Sequence, residues 1–182
     1  MAKSGLSYDK KQFAAVADLM AEKIKNLENL VEFQFSFIGL KTATNAKEVS
    51  TFQNQTGNLR SSIGFVLAKN GEIIEVGGFT RVSGNGENMA IVNFTTKEGK
   101  EVSFHAKGKS GDGQSGVKVG REYAEELARS SGKGYVLIIV AGMNYAGYVE
   151  AKGYNVLTES GKYLESEANK MIERILKKAG FR

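Results

Sequence analysis

Residues 56–79 read TGNLRSSIGFVLAKNGEIIEVGGF, and this stretch decides the fold class of the chain. Two runs within it, 64–69 and 72–79, are rich in β-branched and other apolar residues. Only Asn70-Gly71 separates the two runs, and this dipeptide is the strongest short signal for a β-hairpin. The stretch therefore predicts an antiparallel pair of strands.

A short helix is predicted just before this hairpin. Thr56 is placed to cap the helix with its side-chain oxygen. Leu59 and Ile63 are four residues apart and therefore lie on one side of the helix. The order helix, then hairpin, favours a mixed α and β fold.

A long amphipathic helix is predicted on the N-terminal side of this stretch. Apolar residues recur at three- and four-residue steps through residues 8–31, as on one side of a helix. They are Phe13, Val16, Ala17, Met20, Ile24, Leu27 and Val31. Residues 32–40 are strongly apolar and either continue this helix or form a packed turn. Residues 41–55 are polar and predict a loop or a short helix.

The C-terminal half predicts more strands and helices. Residues 89–96 and 101–106 flank a Lys-Glu-Gly-Lys turn and predict a second hairpin. Residues 135–141 form the most apolar strand and are expected at the centre of the sheet. Helices are predicted over 121–130, 144–152 and 159–179. Gly180 is expected to end the last of them.

These elements predict one α+β domain over residues 1–182. We expect a mostly antiparallel sheet with a long N-terminal helix, short helices and a C-terminal helix packed on it. The chain has no proline and 22 glycines, so its turns are expected to rely on glycine and asparagine.

Composition excludes several classes of protein. The chain has no cysteine, so disulfides, thiolate nucleophiles and cysteine zinc sites are excluded. The first residues lack the apolar core of a signal peptide, and no apolar run is long enough to cross a membrane. The net charge is +5, a mild bias towards anionic partners. The densest basic cluster is Lys107, Lys109, Lys118 and Arg121, which we interpret as solvated surface, with a DNA-facing loop as the alternative.

Two phosphate-binding patterns occur around that cluster, and both lack a required residue. Gly108-Lys109-Ser110 matches the end of a P-loop, but Ser103 stands where the first glycine must be. Residues 111–116 match G-x-G-x-x-G, but no acidic residue follows at the distance that holds a ribose. His105 is the only histidine and has no partner for catalysis or metal binding. We therefore expect no catalytic residue, no cofactor and no metal site, and no enzyme.

Two segments together resemble a known family. The first is Thr56-Gly57-Asn58-Leu59-Arg60-Ser61-Ser62-Ile63, which we call box 1. The second, box 2, is Ala141-Gly142-Met143-Asn144-Tyr145-Ala146-Gly147-Tyr148-Val149-Glu150, which follows the apolar strand. A T-G-x-L-R-x-S-I box, a strand, Y-A-x-x-V-E and a C-terminal helix are similar to the tail-completion or head–tail joining proteins of tailed bacteriophages.

The resemblance covers about residues 8–80 and 134–179, so 81–133 is expected to be a glycine-rich insertion. It implies a non-enzymatic virion protein at the head–tail junction, assembled in the bacterial cytoplasm. Such subunits form rings, and both hexamers and twelve-fold rings are known architectures. The implied partners are further copies of the chain, portal or connector proteins, tail tube proteins and the passing genomic DNA, with no membrane. The alternative function is a small basic nucleic-acid-binding module, and an enzyme with scattered carboxylates comes third.

Several residues are predicted to have structural or interface roles. Arg60 and Glu150 are charged residues within otherwise apolar boxes, so we expect a bidentate ion pair between them. The alternative is that each faces solvent or another subunit. One or two of Tyr145, Tyr148 and Tyr154 are expected to pack under the sheet, and at least one is expected to anchor a subunit contact instead. Residues 81–120 are expected to be either an arm that orders against a neighbour or a solvated loop.

Overall fold

The computed structural model describes residues 10–86, 89–96, 99–107 and 111–179, and it shows an α+β fold. The helices are α1 (Lys10–Glu48), α2 (Asn58–Ser61), α3 (Gln114–Arg129), α4 (Ala146–Ala151) and α5 (Thr158–Lys178). The strands are β1 (Ile63–Lys69), β2 (Glu72–Gly77), β3 (Met89–Thr95), β4 (Glu101–Lys107) and β5 (Tyr135–Ala141). The long N-terminal helix, the short helices, the C-terminal helix and the antiparallel sheet are confirmed.

The main sheet has three antiparallel strands in the order β2-β1-β5. The predicted hairpin is present as β1 and β2. Its turn residues Asn70 and Gly71 have backbone φ angles of 56° and 84°. These are the positive values that a type I′ turn needs, which explains why Asn-Gly occupies this position.

The expectation that residues 135–141 form the central strand is wrong. β1 is the central strand and is buried along nearly its whole length, whereas β5 lies at an edge and is mostly half-buried. Helices cover both faces of the sheet, so central and edge strands are both apolar. Hydropathy alone therefore does not separate centre from edge.

The second predicted hairpin is also present, but it lies outside the main sheet. β3 and β4 pair antiparallel over seven residues each and form a two-stranded sheet of their own. Two residues of its expected turn, 97 and 98, lie outside the described residues.

The first helix is longer than its amphipathic stripe indicated. α1 runs through 32–40 without a turn and continues to Glu48, so it is 39 residues, about 58 Å, long. Its C-terminal part packs on the sheet, where Ile38, Ala43 and Ala46 are buried. Ala46 belongs to a cluster with Ile63 on that face of the sheet.

α3 covers the opposite face of the sheet and begins earlier than residue 121. It starts at Gln114, inside the glycine-rich segment, so the predicted start of this helix is wrong. A row of small residues at four-residue spacing is buried along one side. They are Gly116, Gly120, Ala124 and Ala128. Glycine and the β-branched valine have low helix propensity, and the stretch QSGVKVG contains two of each, which hides this first part of the helix in the sequence.

Part of the expected insertion is integral to the domain. Ala124 and Ala128 of α3 form a core cluster with Val66, Ala68 and Val140 of the sheet. Before α3, the chain at 81–86 is hydrogen-bonded to the segment that includes box 1. Asn85 N donates to Asn54 O at 2.7 Å and Val82 N donates to Ser61 Oγ at 2.8 Å. A free arm or a solvated loop is therefore wrong for 81–86 and for 114–120.

The remaining helices follow the predictions closely. α4 begins two residues later than expected, and α5 matches its predicted range within a residue. α5 packs along α1, and Ser160 Oγ donates to Asn45 Oδ1 at 3.1 Å. The predicted stop at Gly180 lies outside the described residues. At α2, Thr56 is not the cap, because Gly57 takes that position with a φ angle of 78°.

We predict that Gly120→Ala destabilises the protein by about 1–3 kcal/mol, because a Cβ at this position overpacks the interface between α3 and the sheet. That Cβ would lie 2.5 Å from the carbonyl oxygen of Ser62, a backbone atom that has little room to move. The change is measured as the free energy of unfolding in urea.

The matched control is Gly161→Ala in α5, where an added Cβ meets no described atom within 4 Å apart from its chain neighbours and the nearby backbone of its own helix. The free energy of unfolding of this variant should rise by up to about 1 kcal/mol, because alanine has a higher helix propensity than glycine. Equal effects of the two substitutions would contradict the close seating of α3.

Candidate functional site

Box 1 and box 2 are adjacent in the structure. Ile63 pairs with Ala141 across the ladder between β1 and β5. Beyond the ladder, Gly142 N donates to Ser62 O at 3.1 Å. Leu59 and Ile63 share an apolar cluster with Ala146 of α4. The sheet therefore brings together two segments that are almost eighty residues apart in sequence.

An open groove of about 630 Å³ lies between residues 52–59 and α4. The wall formed by 52–59 contains the start of box 1, and the opposite wall contains Tyr145, Tyr148 and Tyr154. Phe52 also lines the groove and is itself buried. We call this feature the tyrosine groove. The role of residues 52–55 has only a weak signal in the sequence, a single aromatic residue in a polar segment.

The three tyrosines do not pack under the sheet as expected. Tyr145, Tyr148 and Tyr154 are 37%, 65% and 48% exposed, so each presents much of its ring to solvent. Burial raises the pKa of the Tyr145 hydroxyl, although its hydrogen bond with Thr56 acts in the opposite direction. Lys152 Nζ lies 5.2 Å from the centre of the Tyr148 ring. Partly exposed aromatic rings around a groove are typical of interaction surfaces.

Arg60 and Glu150 do not form the expected ion pair. Arg60 Nη2 donates to Ser50 Oγ at 2.6 Å, and the guanidinium lies 5.6 Å from the centre of the Phe52 ring. Arg60 therefore holds the segment after α1 against α2. Its Nε is buried and has no hydrogen-bond partner among the residues that the structure describes.

Glu150 instead caps the C-terminal helix. Its Oε1 accepts hydrogen bonds from the backbone N–H groups of Leu157 and Thr158, at 3.2 Å and 2.8 Å, and from the Thr158 hydroxyl. No side chain at the N-cap of α5 performs this task. Partial burial of Glu150 acts to raise its pKa, but the donors from Thr158 and Leu157 outweigh it, and the pKa lies below its ordinary value. A negative charge at a helix N-terminus is also favoured by the helix dipole.

The basic cluster is not one flexible loop. Lys118 and Arg121 lie on α3 and are exposed, whereas Lys107 ends β4 and Lys109 lies outside the described residues. Lys118 Nζ is 3.9 Å from Glu122 Oε1. The basic residues of α3 are Lys118, Arg121 and Arg129, and its acidic residues are Glu122, Glu125 and Glu126. This helix therefore has no net charge and does not present a basic face to an anion.

The start of α3 also differs from a phosphate-binding turn. The helix begins at Gln114, two residues before the third glycine of the G-x-G-x-x-G match. Gln114 N donates to Asp112 Oδ1 at 3.0 Å, and Gly116 N donates to Asn58 Oδ1 at 3.2 Å. Two of the backbone N–H groups that an anion would need are thus bound within the chain.

Lys47 is a half-buried residue that carries no signal in the sequence. Its ammonium group donates to the carbonyl oxygen of Gly78 and to Thr80 Oγ1, which ties the end of α1 to the segment after β2. Burial lowers the pKa of this lysine from 10.5 to about 8. We assign it a structural role, because both of its hydrogen bonds stay within the domain.

Comparison of the chain with protein-family models, curated proteins and solved structures gave no match. In the described part of the chain, no helix is both long and apolar enough to cross a membrane.

We predict that Glu150→Gln destabilises the protein at neutral pH by about 1 kcal/mol, the size of a lost helix cap. The folded-state pKa of Glu150 is below the unfolded value of about 4.5, so ionisation of Glu150 favours the folded state. That contribution is complete above pH 4.5 and is lost as the pH falls through the folded-state pKa. Urea unfolding between pH 3 and pH 7 should show the two proteins converging at the acid end.

Glu159→Gln is the matched control, because Glu159 is an exposed residue in the first turn of the same helix. Its backbone N–H is bound by Asn155, and the exposed ion pair of its side chain with Lys162 contributes little. A difference between wild type and Glu150→Gln that is constant across this pH range would contradict the capping role of the carboxylate.

Proposed function

We propose that this chain is a non-enzymatic structural subunit that self-associates as a ring at the head–tail junction of a tailed bacteriophage. One observation carries the proposal. The apolar stripe of α1 is buried at one end of the helix and exposed at the other. Ile38 is 5% exposed, whereas Ile24 and Met20 are 57% and 60% exposed.

The exposed end of the stripe continues the buried end. Leu27 and Val31, which lie between the two ends, are half-buried. From Lys10 to Leu30 the helix extends for about 30 Å with its apolar residues largely in water. An amphipathic helix owes most of its stability to the packing of its apolar side. We infer that this half of α1 is covered in the assembled protein.

A second copy of the chain is the occupant that fits this surface. The three- and four-residue spacing of the stripe matches the seam of paired helices. Residues 10–32 carry four lysines and four acidic residues, so two such segments have no net repulsion. They are Lys10, Lys11, Lys23, Lys25, Asp18, Glu22, Glu28 and Glu32.

The proposal extends to neighbours that the resemblance implies. A hexamer or a twelve-fold ring would dock to portal or connector proteins on one side and to tail tube proteins on the other, with genomic DNA passing through. The tyrosine groove supports this extension, because exposed tyrosines are enriched where protein surfaces meet. The competing function, a small basic nucleic-acid-binding module, is disfavoured by the balanced charges of α3.

The proposal predicts that the purified chain forms oligomers of defined mass. Ile24→Glu should raise the concentration at which the chains assemble at least tenfold, which corresponds to about 1.4 kcal/mol per contact. Native mass spectrometry and negative-stain images measure the order of the ring. Ile24 is exposed in the single chain, so the variant should keep the wild-type melting temperature of the subunit.

Ala15→Glu is the matched control. Ala15 is exposed and lies about 180° around the helix from Ile24, on the side opposite the stripe. It should leave assembly unchanged. A wild-type chain that stays monomeric at all concentrations, alone and with tail material, would overturn the proposed function. Salt-dependent binding of DNA by that monomer would support the nucleic-acid-binding alternative.

A further inference from the structure

The stripe of α1 is too small to hold a stable ring by itself. A strip about 30 Å long and about 10 Å wide covers only about 300 Å² on each copy. Stable interfaces bury about 800 Å² on each partner. A self-associating subunit of this kind therefore needs a second contact surface.

β5 offers an unpaired sheet edge with none of the usual protection. Within the described residues, its only paired neighbour in the sheet is β1. Its sequence, YVLIIVA, has no charge and no proline, and its seven-residue ladder with β1 is regular. The other edge, β2, carries Glu72 and Glu75 and has a register shift opposite Leu67 and Ala68. Charges and irregularities of this kind protect the edge of a sheet, so of the two edges of the main sheet in the described residues, the β5 edge is the one open to another strand.

The faces of β5 are already covered. On one face, Leu137 lies against α1 near Gly39. On the other, Val140 packs in the cluster that contains Ala124 and Ala128 of α3. What remains accessible on this half-buried strand is consequently its outer edge, with a row of backbone N–H and C=O groups. The partner that such an edge binds is an extended segment, which adds a strand.

The hairpin of β3 and β4 also has unpaired strand edges in the described part of the chain. These two strands form a separate sheet and make at most marginal contacts with the other helices and strands. An isolated two-stranded hairpin is marginally stable in water, so it gains much from a third strand. β3, MAIVNFT, carries no charge, whereas β4 carries Glu101 and Lys107. The edge of β3 is therefore the one suited to an uncharged partner.

We propose that β3 of one copy pairs with the β5 edge of a second copy. The inference rests on the proposed self-association. Both strands are seven residues long and uncharged. Their pairing produces a five-stranded sheet, β2-β1-β5 of one copy followed by β3-β4 of the next. Each copy gives one hairpin and receives another, a head-to-tail contact that closes into a ring when the rotation between copies allows it.

Cysteine cross-linking tests this pairing, because the natural chain has no other thiol. One tagged copy carries Ile91→Cys or Val92→Cys in β3, and an untagged copy carries Leu137→Cys or Ile138→Cys in β5. Neighbouring positions point to opposite faces, so the four combinations sample both faces of the shared sheet. Ile73→Cys and Ile74→Cys in β2 are the matched controls at the protected edge.

The expected result is a disulfide between tagged and untagged chains for at least one combination of β3 with β5. No such disulfide should form when the untagged copy carries its cysteine in β2. A wild-type chain that never assembles overturns both this inference and the proposed function. An assembled ring whose β3 cysteine bonds to the β2 cysteine of a control copy, or to neither β2 nor β5, overturns this inference alone. Cross-linking of β5 to added tail or portal protein, with none to β3, would assign the edge to a different partner and also overturn it.

Hydrogen exchange on the unmodified protein provides a second measurement that does not depend on cysteine variants. Backbone amides of β3 and β5 should exchange at least about tenfold more slowly in the oligomer than in the dilute monomer. Amides of β2 should change less. Unchanged exchange in both β3 and β5 on assembly would contradict the shared sheet.

Discussion

The close approach of α3 to the backbone of box 1 is the constraint on which the rest of the domain depends. An added Cβ at Gly116 would lie 2.0 Å from the carbonyl oxygen of Asn58, and one at Gly120 would lie 2.5 Å from that of Ser62. Only glycine permits this approach. It lets α3 cover one face of the sheet while α1 covers the other, and the central strand, β1, is consequently buried on both faces.

The same constraint positions the tyrosine groove. Box 1 is held from one side by α3 and by 81–86, through Ser61 and Asn58. It is held from the other by Arg60, which binds Ser50 and lies over Phe52. The wall of the groove at 52–59 is thus braced by the core, and α4 is anchored opposite it by Glu150. Both walls are therefore held by contacts within the domain, and the exposed tyrosines lie on the α4 side of the groove.

Local signals predicted the elements of this fold, but they did not predict how the elements are arranged. The Asn70-Gly71 turn and the stripes of α1 and α5 depend on nearby residues, so sequence alone located them. The position of β5 and the start of α3 depend on tertiary packing that overrides hydropathy and helix propensity. Sequence analysis named the residues that form the candidate site, in box 1, box 2 and the three tyrosines, but it did not predict the groove between them. The partners of Arg60 and Glu150 were not, because sequence spacing does not reveal which polar group a folded charge meets.

The exposed stripe of α1, the edge of β5 and the hairpin of β3 and β4 share one physical explanation. A monomer gains no stability from a helix end with its apolar stripe in water, from an uncharged open edge, or from a hairpin without a third strand. Each of these features is costly alone and favourable when another copy covers it. The glycine-rich region 81–133, part of which resembles a phosphate loop in sequence, instead contains the hairpin of β3 and β4 and the helix α3. In the proposed assembly, this region combines close packing within the subunit with strand addition to the next copy.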